Sequence, residues 1–292
     1  MSALSDLLHG AEPAHISGYL WAYLDAASKR EIRRALLKAV CVPGHITPFA
    51  SREMPVARGW GSGGLQVTLA TIVASEVVKV IDQGDDESLN ARTMRALIGD
   101  STGVETTTDA RAATLIQTRH RIPEDDLDDG MVLVFQVPIS DPLREFEQRP
   151  TAARRMHAEG DYAVIWLGLY EDHSRFSRSR FSHSYPCEVE GGYIISTTPI
   201  PRFDVPRLHQ APFLSLFGAG REAAVYAIPP YTDVTPITFT DREFEVESFD
   251  TPCAKCGSNE SYLTEEIVDG RPALVCSDTA HCRRRQDEEG PQ

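Results

Sequence analysis

Four cysteines near the carboxyl terminus carry the strongest chemical signal in the chain. Cys253 and Cys256 form a C-x2-C pair, and Cys276 and Cys282 follow nineteen residues later as a C-x5-C pair. A C-x2-C pair turns two sulfurs to one side of a tight knuckle, and Gly257 supplies permissive backbone just after it. Tyr262 to Val268 and Pro272 to Val275, joined by Asp269-Gly270, read as a hairpin that returns the second pair to the first. Four thiolates that converge in this way make a metal or cluster site. Tetrahedral thiolate sites suit zinc or iron–sulfur chemistry. A structural zinc site uses all four sulfurs. A cluster held by three of them leaves one cysteine free to react, and the spacing does not say which.

Other residues offer weaker chemistry. Arg119-His120-Arg121 directly follows an apolar strand, and two arginines beside a histidine suit an anionic group such as phosphate. The same tripeptide also reads as a solvated basic turn that balances the acidic loop from Glu124 to Asp129. Gly59 to Gly64 is glycine-rich but lacks a Walker lysine and the dinucleotide fingerprint, so it reads as a flexible connection. Phe217 to Glu222 reads as a tight turn, and Pro43-Gly44 as the stop of a helix. There is no serine–histidine–aspartate signature and no H-E-x-x-H zinc-protease helix.

The elements that must hold these residues are mostly strands. Asp25 to Val40 reads as an amphipathic helix, with Ile32, Leu36, Ala39 and Val40 on one face. Leu65 to Val73 alternates like a strand, Val77 to Ile81 reads as another, and Asp86 to Gly99 as a helix. Ala112 to Gln117 and Met131 to Val137 are apolar strands, the second central. Pro150 to Glu159 reads as a basic helix, Asp161 to Tyr170 as a strand, and Tyr185 to Thr197 as a hairpin. Short strands near Ala223 to Ile228, Thr235 to Phe239 and Phe244 to Phe249 lead into the cysteines. Strands and helices do not alternate regularly, so the expected class is α+β: a mixed, mostly antiparallel sheet with flanking helices and a C-terminal four-cysteine metal module. The expected division is a flexible leader over 1–17, a core over 18–248, the cysteine module over 249–282 and a disordered tail over 283–292.

Composition bounds the function. The chain has 292 residues and a net charge of −14, from 29 basic and 43 acidic side chains. That balance argues against a nucleic-acid partner, because phosphate attraction needs a basic surface. No apolar run approaches the ~18 residues of a membrane span, and the first ten residues do not resemble a signal peptide. A metal-type cysteine cluster without an export signal points to the reducing cytoplasm. Cys41 and Cys187 stand apart and read as small buried apolar residues.

Several strings go further. Ile32-Arg33-Arg34 with Leu37-Lys38-Ala39-Val40, Arg52-Glu53-Met54-Pro55, Val80-Ile81-Asp82-Gln83-Gly84, Ala113 to Glu124, Leu216 to Glu222 and Cys276-Ser277-Asp278-Thr279 resemble the J subunit of bacterial carbon–phosphorus lyase. The resemblance runs from about Gly18 to Cys282, and the leader before Ser17 is longer than usual for that family. It implies a radical enzyme of phosphonate breakdown that converts α-D-ribose 1-methylphosphonate 5-phosphate to methane and ribose 1,2-cyclic phosphate 5-phosphate. It implies a 4Fe-4S cluster on Cys253, Cys256 and Cys276, with S-adenosylmethionine cleaved at the open iron. It further implies a glycyl radical at Gly44 and a thiyl at Cys282 that attacks phosphorus. Arg119 and His120 would line the substrate pocket, with Gln136 and Tyr170 from neighbouring strands. Implied partners are the G, H and I core subunits and an ABC-type ATPase subunit. The spacing departs from the C-x3-C-x2-C usual for radical S-adenosylmethionine enzymes. All four cysteines also match a complete zinc site, with Cys282 as fourth ligand and zinc favoured in air. The alternative reading is therefore a non-catalytic zinc-bearing scaffold that shares a pocket with a partner.

Overall fold

The computed structural model describes Arg34, Leu36, Arg149 and residues 46–48, 62–72, 74–82, 85–119, 121–136, 186–189, 193–196, 205–219, 224–236, 250–259 and 261–289. Arg34 and Leu36 are helical, and Leu36 is buried; the rest of the expected Asp25–Val40 helix lies outside the described residues. So do the expected elements at 150–159, 161–170 and 244–249.

A seven-stranded sheet forms the centre. Its strands are β1 (Ile46–Pro48), β2 (Val77–Ile81), β3 (Glu105–Thr107), β4 (Leu115–Thr118), β5 (Val132–Gln136), β8 (Leu214–Ala219) and β9 (Ala224–Ile228). Their spatial order is β1-β9-β8-β5-β4-β2-β3. The run from β3 through β2, β4 and β5 to β8 is parallel, and β9 and β1 close the other edge antiparallel. Two smaller antiparallel sheets are built from β6 (Pro186–Val189), β7 (Tyr193–Ser196) and β10 (Val234–Pro236), and from β11 (Leu263–Val268) with β12 (Arg271–Cys276). The class is thus α+β with a mixed sheet, as expected. Parallel pairing concentrates in the inner strands, which are buried on both faces and read as unbroken apolar runs such as Val132-Leu133-Val134-Phe135.

Two helices cover one face. In α1 (Ser62–Thr71) the residues Leu65, Thr68 and Leu69, with Ile72 just past its end, recur at helical spacing and are all buried. In α2 (Leu89–Thr102) the buried residues are Ala91, Met94, Leu97 and Ile98. Both helices pack on Val78, Val80, Leu115, Val132, Val134, Leu214 and Leu216. Ile81, Ile116, Leu133, Phe135 and Phe217 face the opposite way, and the Phe135 and Phe217 rings stack at 4.6 Å. Ser88 caps α2 by accepting the Ala91 N–H, and Gly103, at φ 74°, ends it in the left-handed region.

Three expectations are corrected. The strand expected over Leu65–Val73 is the helix α1, with the Ile72 N–H donating to Thr68 O at 2.9 Å. Its leucines and valine satisfy a two-residue and a helical period alike, and packing on the sheet selects the helix. The turn expected at Phe217-Gly218-Ala219 is the end of strand β8, where Gly218 pairs with both Gln136 and Val225. The tail expected to be disordered from Arg283 is helical to Glu289, within α3 (Thr279–Glu289). Among the described residues no helix is long and apolar enough to cross a membrane.

Candidate functional site

The cysteine hairpin folds as its turn residues demand. Asp269 and Gly270 both take positive φ, 50° and 76°, the conformation that suits a two-residue hairpin. The pairing runs from Val268 opposite Arg271 to Leu263 opposite Cys276. Cys253 and Cys256 form the knuckle: the Gly257 N–H donates to Cys253 O at 2.8 Å, with Gly257 at φ 71°. Cys282 comes from α3, whose amino end is capped by Asp278 accepting the His281 N–H at 3.1 Å.

The four sulfurs lie within 4.8 Å of one another and all four residues are buried. Cys253 Sγ is 3.8 Å from Cys282 Sγ, and Cys256 Sγ is 3.5 Å from Cys276 Sγ. Burial pushes the Cys282 thiol up to about 12, and Cys253 beside it adds to the push; burial also raises Cys276. Burial works against the Cys253 thiolate too. Backbone N–H groups of Cys256, Lys255 and Cys276 nevertheless bring that thiol down to about 7. A cation among the four would ionise the thiols outright. A zinc–sulfur bond of ~2.3 Å sets tetrahedral sulfurs roughly 3.8 Å apart. The quartet therefore fits a single tetrahedral ion. A four-iron cube carries its thiolates on separate irons and holds them farther apart, so these sulfurs would have to part to take one.

The hairpin is locked to the sheet by buried charges. Lys79, in the middle of β2, lies 2.9 Å from Asp86 and 3.1 Å from Asp278, and it donates to Thr108 O. Asp86 accepts from the N–H and the hydroxyl of Thr279 at the amino end of α3. Arg121 pairs with Glu124, donates to Ser277 and stands 5.5 Å over the Tyr262 ring. Arg284 bonds Asp109 at 2.7 Å and also Asp125, which lies 3.6 Å from His281.

A second polar group sits at the carboxyl edge of the parallel strands. From β2 the chain passes through α2 to β3; from β4 it passes over the opposite face to β5. The crevice between such diverging strands is where open α/β sheets bind ligands. Arg119 follows β4 there, and Asp82 follows β2. Arg119 grips Asp82 with two nitrogens, at 2.6 and 2.7 Å, and both are largely buried. Gln136 ends β5 beside them, 1% exposed.

The sequence matches the model of one family, described as phosphonate metabolism protein PhnJ, over residues 17–288. The chain belongs to the PhnJ family. It is 49% identical over 276 residues to an Escherichia coli (strain K12) protein named alpha-D-ribose 1-methylphosphonate 5-phosphate C-P lyase, covering 94% of this chain and 98% of that protein. It is also 49% identical over 273 residues to a Rhizobium meliloti (strain 1021) protein of the same name, covering 93% and 92%. PhnJ membership places the chain in a lyase family of phosphonate metabolism.

Of the expected site residues, the structure brings the four cysteines together at one point and sets Arg119 and Gln136 at one sheet edge. Gly44, His120 and Tyr170 lie outside the described residues. The sequence reading missed Asp82, which fixes Arg119, and the Lys79–Asp86–Asp278 lock. Lys79 left a trace: a lysine inside Val77-Val78-Lys79-Val80-Ile81 needs a buried counter-charge.

Proposed function

We propose that this protein cleaves the carbon–phosphorus bond of α-D-ribose 1-methylphosphonate 5-phosphate by S-adenosylmethionine-dependent radical chemistry, releasing methane and ribose 1,2-cyclic phosphate 5-phosphate. PhnJ family membership over a span that contains the converged cysteines carries this reading. Cys253, Cys256 and Cys276 would hold a 4Fe-4S cluster, whose chemistry is to give one electron to S-adenosylmethionine. Gly44 is the proposed radical store, since its Cα has no side chain to hinder planarity. Cys282 is the proposed thiyl source: the Gly44 radical takes its thiol hydrogen, and the thiyl attacks phosphorus and displaces methyl. Methyl takes the hydrogen back from Gly44 and leaves as methane. The ribose 2-hydroxyl then closes the cyclic phosphate and frees the sulfur, which receives the hydroxyl proton. Arg119, His120, Gln136 and Tyr170 would hold the phosphate and phosphonate groups. The working unit would be a cytoplasmic hetero-oligomer with the G, H and I subunits and an ABC-type ATPase subunit.

The sulfur spacing favours a second reading of the resting state, in which all four cysteines close on one zinc ion and the subunit acts as a scaffold. Cys282 cannot ligate zinc and attack phosphorus at the same time. Anaerobic reconstitution of the assembled complex separates the two readings. The radical reading expects bound iron and sulfide, cleavage of S-adenosylmethionine and methane. Zinc alone, with no cleavage of S-adenosylmethionine, would sink it.

A further inference from the structure

Three buried polar side chains form a line from α1 into the sheet beneath it. The Thr68 hydroxyl donates to Gln117 Oε1, and Gln117 Nε2 donates to Gln136 Oε1 at 3.4 Å. Thr68 and Gln117 are fully buried and Gln136 is 1% exposed. An amide has one accepting oxygen and one donating nitrogen. With its oxygen turned to Gln117, Gln136 presents its nitrogen at the end of the line. That Nε2 is buried and has no hydrogen-bond partner among the described residues. An unmet buried donor is costly, so an acceptor belongs there.

The surroundings indicate what kind of acceptor. The first turn of α1 lies directly against Gln136: a Cβ on Gly64 would fall 2.4 Å from Gln136 Cα, so only glycine permits this approach. The leading N–H groups of a helix have no intrahelical acceptor, and they carry the positive end of its dipole. The amino end of α1 and the unmet Gln136 amide thus lie together at the carboxyl edge of β5. The guanidinium of Arg119 ends the adjacent strand β4. An oxyanion is the acceptor that suits an unmet amide donor beside the positive end of a helix.

We propose that Thr68 and Gln117 are positioning residues that hold the Gln136 amide as a donor toward a phosphate or phosphonate oxygen bound at the first turn of α1. This deepens the ribosyl-phosphonate reading above and rests on it for the identity of the substrate. The relay sets polarity: without the Thr68 hydroxyl the Gln117 amide is free to reverse, and the Gln136 amide can reverse with it.

The test uses the assembled complex, with inorganic phosphate as the probe in calorimetric titration and methane release for KM and kcat. Thr68→Val keeps the shape and removes the hydroxyl; it should weaken phosphate binding by about tenfold and raise KM with kcat little changed. Thr68→Ser restores the hydroxyl and should restore both. Gln136→Glu places a carboxylate where the donor stood and should weaken phosphate by more than about tenfold. Wild-type phosphate affinity and KM in Thr68→Val overturn the proposal, as does equal weakening in Thr68→Val and Thr68→Ser. If Gln136→Glu does not fold, the Thr68 pair still decides. Phosphate binding that follows the Thr68 hydroxyl in a complex that makes no methane would refute the proposed reaction and leave the relay standing. Methane made with wild-type KM by Thr68→Val would do the reverse.

Discussion

Lys79→Met should loosen the cysteine hairpin from the sheet. Lys79 is fully buried, and its ammonium stands 2.9 Å from Asp86 and 3.1 Å from Asp278. Methionine keeps the apolar stem but strands two buried carboxylates. Removing one partner of a buried pair costs about 3–5 kcal/mol, so the expected loss of unfolding free energy is about 4 kcal/mol at neutral pH. The pH dependence follows from Asp86. Burial raises its carboxyl above the ordinary 3.8, while Lys79 pulls the other way. A raised acid contributes stability that is full below 3.8 and lost as pH rises through its folded value. Without Lys79 that value rises further, so the deficit of the variant should shrink on acidification. Urea unfolding of wild type and variant between about pH 4 and about pH 8 measures it. Adding Asp86→Asn to the variant should recover part of the loss. A deficit under about 1 kcal/mol at neutral pH, or one that grows as pH falls, refutes the lock.

Three further outcomes follow from the geometry. Burial opposes the Asp125 carboxylate, but the His281 ring 3.6 Å away and the hydrogen bond from Arg284 outweigh it and hold the acid at about 2. A lowered acid contributes stability above its ordinary 3.8 that is lost as pH falls through about 2, so Asp125→Asn should flatten unfolding stability across that window; an unchanged acid slope would refute the pairing. Gly64→Ala drives a methyl into the Gln136 backbone at 2.4 Å and should cost about 1–3 kcal/mol or more in thermal unfolding; a neutral result would contradict the close approach. Asp82→Asn frees the Arg119 fork and should lower kcat/KM for the ribosyl phosphonate by about tenfold while circular dichroism is unchanged, whereas wild-type turnover would show that the fork is not needed.

What was legible in the sequence was local. The cysteine spacing with Asp269-Gly270 was enough to foresee the hairpin and its convergent sulfurs, because both the turn and the knuckle are set by neighbouring residues. The inner strands β2 and β5 showed as apolar runs for the same reason. Helix α1 was misread because Leu65, Val67 and Leu69 fit both periods, and only the sheet beneath them decides. Strand β8 was misread because Gly218 looks like a turn residue; in place it is a strand residue between Gln136 and Val225. The basic and acidic tail looked unfoldable alone. It is helical where Asp86 meets the Thr279 N–H and Arg284 reaches Asp109 and Asp125, contacts made across well over a hundred residues. The Lys79–Asp278 arm of the lock was hidden in the same way, and the Thr68–Gln117–Gln136 line joins residues 49 and 19 apart in the chain. Gly44 and Tyr170 rest on the resemblance alone, and His120 on it together with the Arg119-His120-Arg121 tripeptide.

The most direct test of the central claim is one measurement on four variants: iron, sulfide and zinc content, S-adenosylmethionine cleavage and methane for Cys253→Ala, Cys256→Ala, Cys276→Ala and Cys282→Ala in the anaerobic complex. A small metal site draws much of its folding free energy from the ion, about 10 kcal/mol or more in zinc-finger peptides. The first three variants should therefore lose metal and hairpin together. Cys282→Ala should keep iron and sulfide, still cleave S-adenosylmethionine and release no methane. Methane from Cys282→Ala, or a loss of metal equal to that of the other three, would contradict the assignment of Cys282 as the attacking thiol.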